Sequence, residues 1–136
     1  MTEPIDKLVD QALANMLAGL ITGLKVLIGM QEIEPVLETP YCAVFSVLNR
    51  FTGRTPIYEL MTTIEYVTIS GQDTVANVAQ IMAQIDTLLN TGHDLSDFGF
   101  APGLNYLAWE SINRSQQEVG DRRKNIRELL VRATTA

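Results

Sequence analysis

The chain has one histidine, His93, and one cysteine, Cys42, so the chemistry open to these side chains is narrow. His93 stands between Gly92 and Asp94, after a predicted helix. A histidine acting as a general base needs a nucleophile and an orienting partner, and neither occurs near His93 at a recognisable spacing. We therefore interpret His93 as a surface residue, and we assign no catalytic residue.

Cys42 lies in an apolar run with Ala43, Val44 and Phe45. A lone cysteine in such a run behaves as a small hydrophobic residue and cannot form a disulfide within the chain. The sequence therefore favours a reducing compartment.

Metal binding would have to depend on carboxylates, because the chain offers a single imidazole and a single thiolate. Glu32, Glu34 and Glu38 are predicted to form an acidic, solvated loop. Asp94 and Asp97 could join a cation site, but aspartates beside glycine and serine more often stabilise turns. None of these spacings matches a calcium loop. We predict no metal site.

Phosphate-binding and nucleophile motifs are also missing from the sequence. The glycines are scattered and form neither GxGxxG nor GxxxxGK[ST], and Ser46 and Ser111 do not lie in a GxSxG turn. We therefore predict no cofactor and expect a protein that is not an enzyme.

The composition predicts one globular domain over residues 1–136. Apolar residues make up 46% of the chain, which is enough for a packed core without disulfides or a metal. The net charge is −6, and it disfavours a general nucleic-acid binder. The first residues lack the basic segment of a signal peptide, and residues 13–30 contain polar residues and glycines that disfavour a membrane span.

Changes in the period of the apolar residues predict the secondary structure. Helical spacing runs from Ile5 to about residue 21 and again over residues 74–89. Extended segments are predicted at residues 24–30, 41–48, 57–70, 104–112 and 122–134, with loops at 34–40, 49–56 and 113–121. The strand at 41–48 is apolar on both faces, so we expect a central strand covered on each side.

This order, α-β-β-β-α-β-β, predicts an α+β fold. Its main features would be a largely antiparallel sheet of about five strands, two main helices packed on the sheet, and a long C-terminal hairpin.

A basic cluster near the C-terminal end is the most suggestive surface feature, since residues 101–136 carry six basic and four acidic groups. The cluster comprises Arg114, Arg122, Arg123, Lys124 and Arg127. The simplest interpretation is a charged edge strand that resists unwanted pairing. A second is a docking element that meets the acidic remainder of another copy or a partner. Nucleic-acid binding is a weaker third, because interleaved aromatic residues are missing.

Several segments together resemble the tail terminator (tail completion, or neck) proteins of long-tailed bacteriophages. They are the N-terminal amphipathic helix, the proline loop leading into residues 40–45, the strand ending at residues 67–70, the helix at 74–89, and residues 98–103 and 127–133. The likeness spans most of the chain and consists of pattern rather than an invariant motif.

The resemblance implies a structural virion protein without catalytic residues. Such proteins form a ring, commonly a hexamer, that caps the completed tail tube, stops its polymerisation and offers a docking surface to the head. The implied partners are further copies of the chain, the tail tube protein and the head–tail connector or neck proteins, while DNA only passes through the lumen. The ring would be assembled in the host cytoplasm and located in the virion. Another head–tail connector or minor tail protein, or a small protein-binding regulatory module, remains an alternative.

Overall fold

The elements follow the predicted order. A computed structural model describes residues 4–28, 40–52, 57–69, 75–90 and 104–135. Its elements are α1 (Ile5–Leu20), β1 (Val26–Ile28), β2 (Tyr41–Thr52), β3 (Ile57–Ile69), α2 (Val75–Asn90), β4 (Leu104–Val119) and β5 (Arg122–Thr135). The α+β fold with its C-terminal hairpin is confirmed.

Helix α1 forms where apolar residues recur every three to four positions, so that one stripe of the helix faces the sheet. Pro4 precedes the helix, and its carbonyl accepts the first backbone hydrogen bonds, from Lys7 and Leu8. The helix ends where the backbone N–H of Ile21 donates to the Leu17 carbonyl. Seven of its residues are buried.

The five strands lie in the order β1-β2-β3-β5-β4. Strand β1 pairs with β2 in parallel, and the other three pairings are antiparallel. Strand β5 therefore lies inside the sheet, between β3 and β4, although it follows β4 in sequence. Strand β4 forms one edge of the sheet.

Both helices pack on the same side of the sheet, which we call the helix-covered face. Their buried residues form one cluster with side chains from four strands. Its members that are almost completely buried include Leu13, Ile64, Ile85, Leu107 and Leu129. A smaller cluster of Tyr41, Ala43 and Val67 lies on the opposite face. The core thus depends on every long strand.

The prediction of a hairpin loop at residues 113–121 is wrong. Strand β4 continues to Val119, which pairs with Arg122, so the loop contains only Gly120 and Asp121. Gly120 has a φ of 63° and no described residue other than glycine has a positive φ, which is the pattern of a type II′ hairpin turn. Side chains on both faces of residues 113–119 are exposed to solvent, and most of them are polar. The segment therefore lacks the alternation that marks a half-buried strand.

The turn predicted at residues 49–56 is also too long. Strand β2 continues to Thr52 through a bulge between Leu48 and Arg50, which accommodates the extra residue Asn49. The prediction that residues 41–48 are covered on both faces is correct as far as Ser46. Beyond that point Val47 and Leu48 are exposed.

Some predictions fall on residues outside the described part of the chain. They concern His93, Asp94, Asp97, residues 29–39 with their three glutamates, and residues 98–103. Within the described ranges, no helix has the length and hydropathy that a membrane span requires.

Candidate subunit interface

The five basic residues of the predicted cluster do not form one surface. Neighbouring residues of a strand point to opposite faces of the sheet, so the run from Arg122 to Lys124 is divided. Arg127 pairs in register with the core residue Ile64 and lies on the helix-covered face. Arg123 shares that face, whereas Arg122 and Lys124 lie on the opposite one. Arg114 of β4 is the register partner of Arg127.

Lys124 is buried and paired. Its Nζ lies 3.4 Å from Oε2 of Glu65, and both side chains are only 10% exposed. Burial raises the pKa of Glu65, and the charge and hydrogen bond of Lys124 oppose that rise. Arg122 is also buried. These two residues serve the interior of the fold rather than its surface.

Arg127 joins β5 to α2. Its Nε and Nη2 donate to the two carboxylate oxygens of Asp86 at 2.6 and 3.2 Å. This bidentate geometry is the strongest form of an arginine–carboxylate contact. A second polar link follows near the end of α2, where Nε1 of Trp109 donates to the Leu89 carbonyl at 2.8 Å.

Two members of the cluster remain at the surface. Arg123 is 38% exposed and lies 3.0 Å from the carboxylate of Glu118 across the hairpin. Arg114 is exposed and makes no ion pair with any described residue. The interpretation as a charged edge strand therefore applies to Arg114 alone, since β5 is an internal strand.

A buried carboxyl lies beneath α1. Asp10 is 4% exposed, and its Oδ1 has no hydrogen-bond partner among the described residues. Burial raises the pKa of Asp10 to about 6; a hydrogen bond with Ser46 opposes the rise, and the charge of Asp6 adds to it. The hydroxyls of Ser46 and Thr62 lie 2.7 Å apart in the same buried region. The sequence did not reveal this site, because the spacing of apolar residues in α1 does not show that a carboxyl would be buried beneath the helix.

Within the described ranges, no three histidine, cysteine or carboxylate side chains lie close enough together to hold a metal ion. Cys42 is fully buried, as expected from its apolar neighbours. Burial raises the pKa of the Cys42 thiol to about 12, and Glu65 contributes to that rise. The thiol is therefore poorly suited to act as a nucleophile.

The large hydrophobic side chains that are exposed in the described residues lie at the two sides of the sheet. On the β4 side they are Tyr106, Ile112 and Val119; on the other side they are Leu20, Ile28, Val47, Leu48 and Phe51. Strands β3 and β5 contribute none. The sequence did not reveal this distribution, because an apolar residue looks the same whether a neighbouring strand covers it or not.

Each of the two sides ends in a strand segment with no neighbouring strand in the described part of the chain. Strand β1 covers β2 only from Cys42 to Val44, so residues 45–52 have no described strand beside them on that side. We call this segment the β2 edge. The outer side of β4 has no described strand along residues 104–119, and we call it the β4 edge.

Comparison with known proteins adds evidence on the fold. No protein-family model and no curated protein matches this chain. Among solved structures, 16 chains match, and one of them superposes with a TM-score of 0.53 at 13% identity. That match covers 96% of this chain and 92% of the other. The arrangement of helices and strands therefore recurs, over nearly its whole length, in a protein of very different sequence.

Proposed function

We propose that the protein is a structural component of a phage virion, a tail terminator whose copies form a ring on the end of the completed tail tube. The ring would stop polymerisation of the tube and offer the docking surface for the head or neck. The observation that supports this proposal is the exposed apolar surface at two separate sides of the sheet. A ring requires two different surfaces on each subunit, each complementary to the other.

Exposed apolar side chains are informative when they are grouped. Scattered single residues are normal, whereas patches of them mark contacts with other proteins. Here the groups coincide with unpaired strand segments, which natural proteins usually protect. A surface of this kind is expected of a subunit whose exposed edges are covered by neighbouring subunits.

The charge pattern agrees with passage of DNA through the ring. The chain carries a net charge of −6, and four of its basic side chains pair with carboxylates: Arg123, Lys124, Arg127 and Arg132. These pairs reduce the number of cations available for phosphates, and a negative lumen does not retain a DNA backbone. DNA would therefore pass through the ring without being bound by it.

The proposed partners are copies of the same chain, the tail tube protein on one ring face and connector or neck proteins on the other. The proposed location is the neck of the virion, after assembly in the host cytoplasm. Arg114 and Arg123 are the members of the basic cluster exposed enough to reach a partner. A different connector or minor tail protein would use the same surfaces at another position of the virion.

The test is electron microscopy of the purified protein, alone and added to growing tubes of the tail tube protein from the same phage. We expect rings, tubes with a capped end, and tube lengths that stop increasing once the protein is added. Light scattering should give a multiple of the 15.1 kDa monomer. A protein that stays monomeric and leaves tube growth unchanged would contradict the proposal.

A further inference from the structure

We infer that the subunits meet edge to edge, with the β2 edge of one copy lying along the β4 edge of the next copy. The sheet would then continue from subunit to subunit through backbone hydrogen bonds, as it does when an added strand extends a sheet. This inference rests on the ring of the proposed function and specifies its contact.

The first argument is that both edges carry matched apolar side chains. On the β2 edge they are Val47, Leu48 and Phe51, and on the β4 edge Tyr106, Ile112 and Val119; each is between 44% and 55% exposed. Contact between the two edges would cover both groups at once. Removal of this apolar surface from water would stabilise the contact.

The second argument is that the β4 edge lacks most of the usual protection. It is 16 residues long and contains neither proline nor lysine, the residues that most often block an exposed edge. Its register shifts lie between Leu104 and Tyr106 and between Ser111 and Asn113, which leaves the part from Asn113 to Val119 regular. The β2 edge spans eight residues, or about 26 Å of extended chain, and is short enough to lie along β4.

The two edges also differ in the charge that they carry. Arg50 is the only charged residue of the β2 edge, and Lys25 precedes the neighbouring strand β1. The β4 edge and its turn carry three carboxylates and one cation, Arg114; the carboxylates are Glu110, Glu118 and Asp121. The two edges therefore have opposite signs. Pairing of β4 with a second β4 would instead bring together two segments of the same net negative charge, which is less favourable than contact between edges of opposite net charge.

The contact between subunits is therefore head-to-tail. Each subunit gives one edge to the neighbour before it and the other edge to the neighbour after it. Such heterologous contacts close into a ring when the rotation between subunits allows it, whereas a contact between identical edges stops at a dimer.

The first test uses two variants with one added cysteine each, Val47→Cys and Ile112→Cys, and a short bismaleimide cross-linker. Native Cys42 is fully buried and its pKa is raised to about 12, so it should not react in the folded protein. We expect a product of about twice the 15.1 kDa monomer when the two variants are mixed, at least about tenfold more abundant than with either variant alone.

Two results of this cross-linking would overturn the inference. One is equal cross-linking of Ile112→Cys with itself, which would indicate contact between two β4 edges. The other is the lack of a product in the mixture.

The second test compares Val47→Asp and Ile112→Asp with the control Ala79→Asp, which places the same charge at an exposed position of α2. Circular dichroism checks that all three variants fold. For both edge variants we expect ring formation to require a protein concentration at least about tenfold higher, because a charge in an apolar contact must be desolvated. The control should form rings at the same concentration as the wild type.

The outcomes separate this inference from the proposed function. Rings formed equally by both edge variants would overturn the edge contact and leave the tail terminator proposal standing. Failure of the wild-type protein to cap tubes, together with specific cross-linking in the mixture, would overturn the tail terminator proposal and support the edge contact. If the mixed cysteine variants give no cross-linked product and the wild-type protein does not cap tubes, both the edge contact and the tail terminator proposal are contradicted.

Discussion

The two helices lie on the same face of one sheet but are held there in different ways. Helix α1 buries seven residues, and its contacts are almost entirely apolar, with the single buried carboxyl of Asp10 among them. Among the described side chains of α2, only Met82, Ile85 and Leu89 are buried. Helix α2 is held in addition by the ion pair of Asp86 with Arg127 and by the indole of Trp109.

An aspartate on the sheet-facing side of a helix can therefore either stabilise or destabilise the packing of that helix. Asp86 lies at the margin of the core with a bidentate partner, so its charge helps to hold α2. Asp10 is buried and forms no ion pair with any described residue, so its charge opposes the packing of α1. We therefore expect the attachment of α1 to respond to packing and pH, and the attachment of α2 to respond to loss of its ion pair.

The largest expected effect is on the apolar attachment of α1. Leu13 is fully buried, and Leu13→Ala should lower the free energy of unfolding by about 2–5 kcal/mol, because it removes apolar contacts and leaves a cavity. Urea denaturation measures the change. The control is Leu20→Ala, four turns into the same helix but 49% exposed, which should change the free energy by less than about 0.5 kcal/mol. Equal effects would show that burial does not hold α1.

The second effect concerns the polar attachment of α2. Arg127→Ala should cost about 2 kcal/mol, because the partly buried carboxylate of Asp86 would lose two charge-assisted hydrogen bonds. Chemical denaturation of the two single variants and of the double variant with Asp86→Ala gives the coupling energy of the pair. The matched control is Glu118→Ala, which breaks the exposed pair with Arg123 and should cost less than about 1 kcal/mol.

The smallest effect is specific to pH and concerns Asp10. Its pKa is raised from 3.8 to about 6, so the folded state binds the proton more tightly than the unfolded chain. The stability due to this proton is fully present below about pH 4 and is lost as the pH rises through about 6. Asp10→Asn removes the titration. It should be more stable than the wild type near neutral pH, on the order of 1 kcal/mol after allowance for solvent screening.

Denaturation of both proteins between about pH 4 and pH 8 tests this expectation, since the advantage of Asp10→Asn should disappear at the acidic end. A constant difference across this range would show that Asp10 does not titrate there. A wild type that gains stability relative to the variant as the pH rises would reverse the sign and contradict the assignment.

The sequence predicts the elements that have at least one apolar face. Helices α1 and α2 and the strands up to β3 were found because one face is apolar and the other polar, or because both faces are apolar. The segment from Asn113 to Val119 has no such signal, since both of its faces meet solvent and it forms a strand only because β5 pairs with it. For a similar reason the sequence predicts Asn49 in a turn, although a bulge at this residue lets the strand continue.

The candidate interface was predictable only in part. The basic cluster was recognised from residues adjacent in sequence, but adjacency on a strand separates side chains onto two faces. Asp86 and Glu65, which neutralise Arg127 and Lys124, lie tens of residues away, so the pairing cannot be read from local spacing. The two edges of the sheet depend on strand order, which the pattern of elements leaves open.

The position of β5 between β3 and β4 has a consequence for how the chain folds during synthesis. Strand β4 leaves the ribosome before β5 and has no place in the sheet until β5 is available, because β5 is its only described neighbour. Helix α1 and strands β1 to β3 can associate earlier. Strand β4 then joins as half of a hairpin, a unit that closes within about 1–10 μs around the turn at Gly120 and Asp121. The β4 edge is therefore formed in the final step of folding. This order shortens the time for which a nascent chain exposes the β4 edge to other chains.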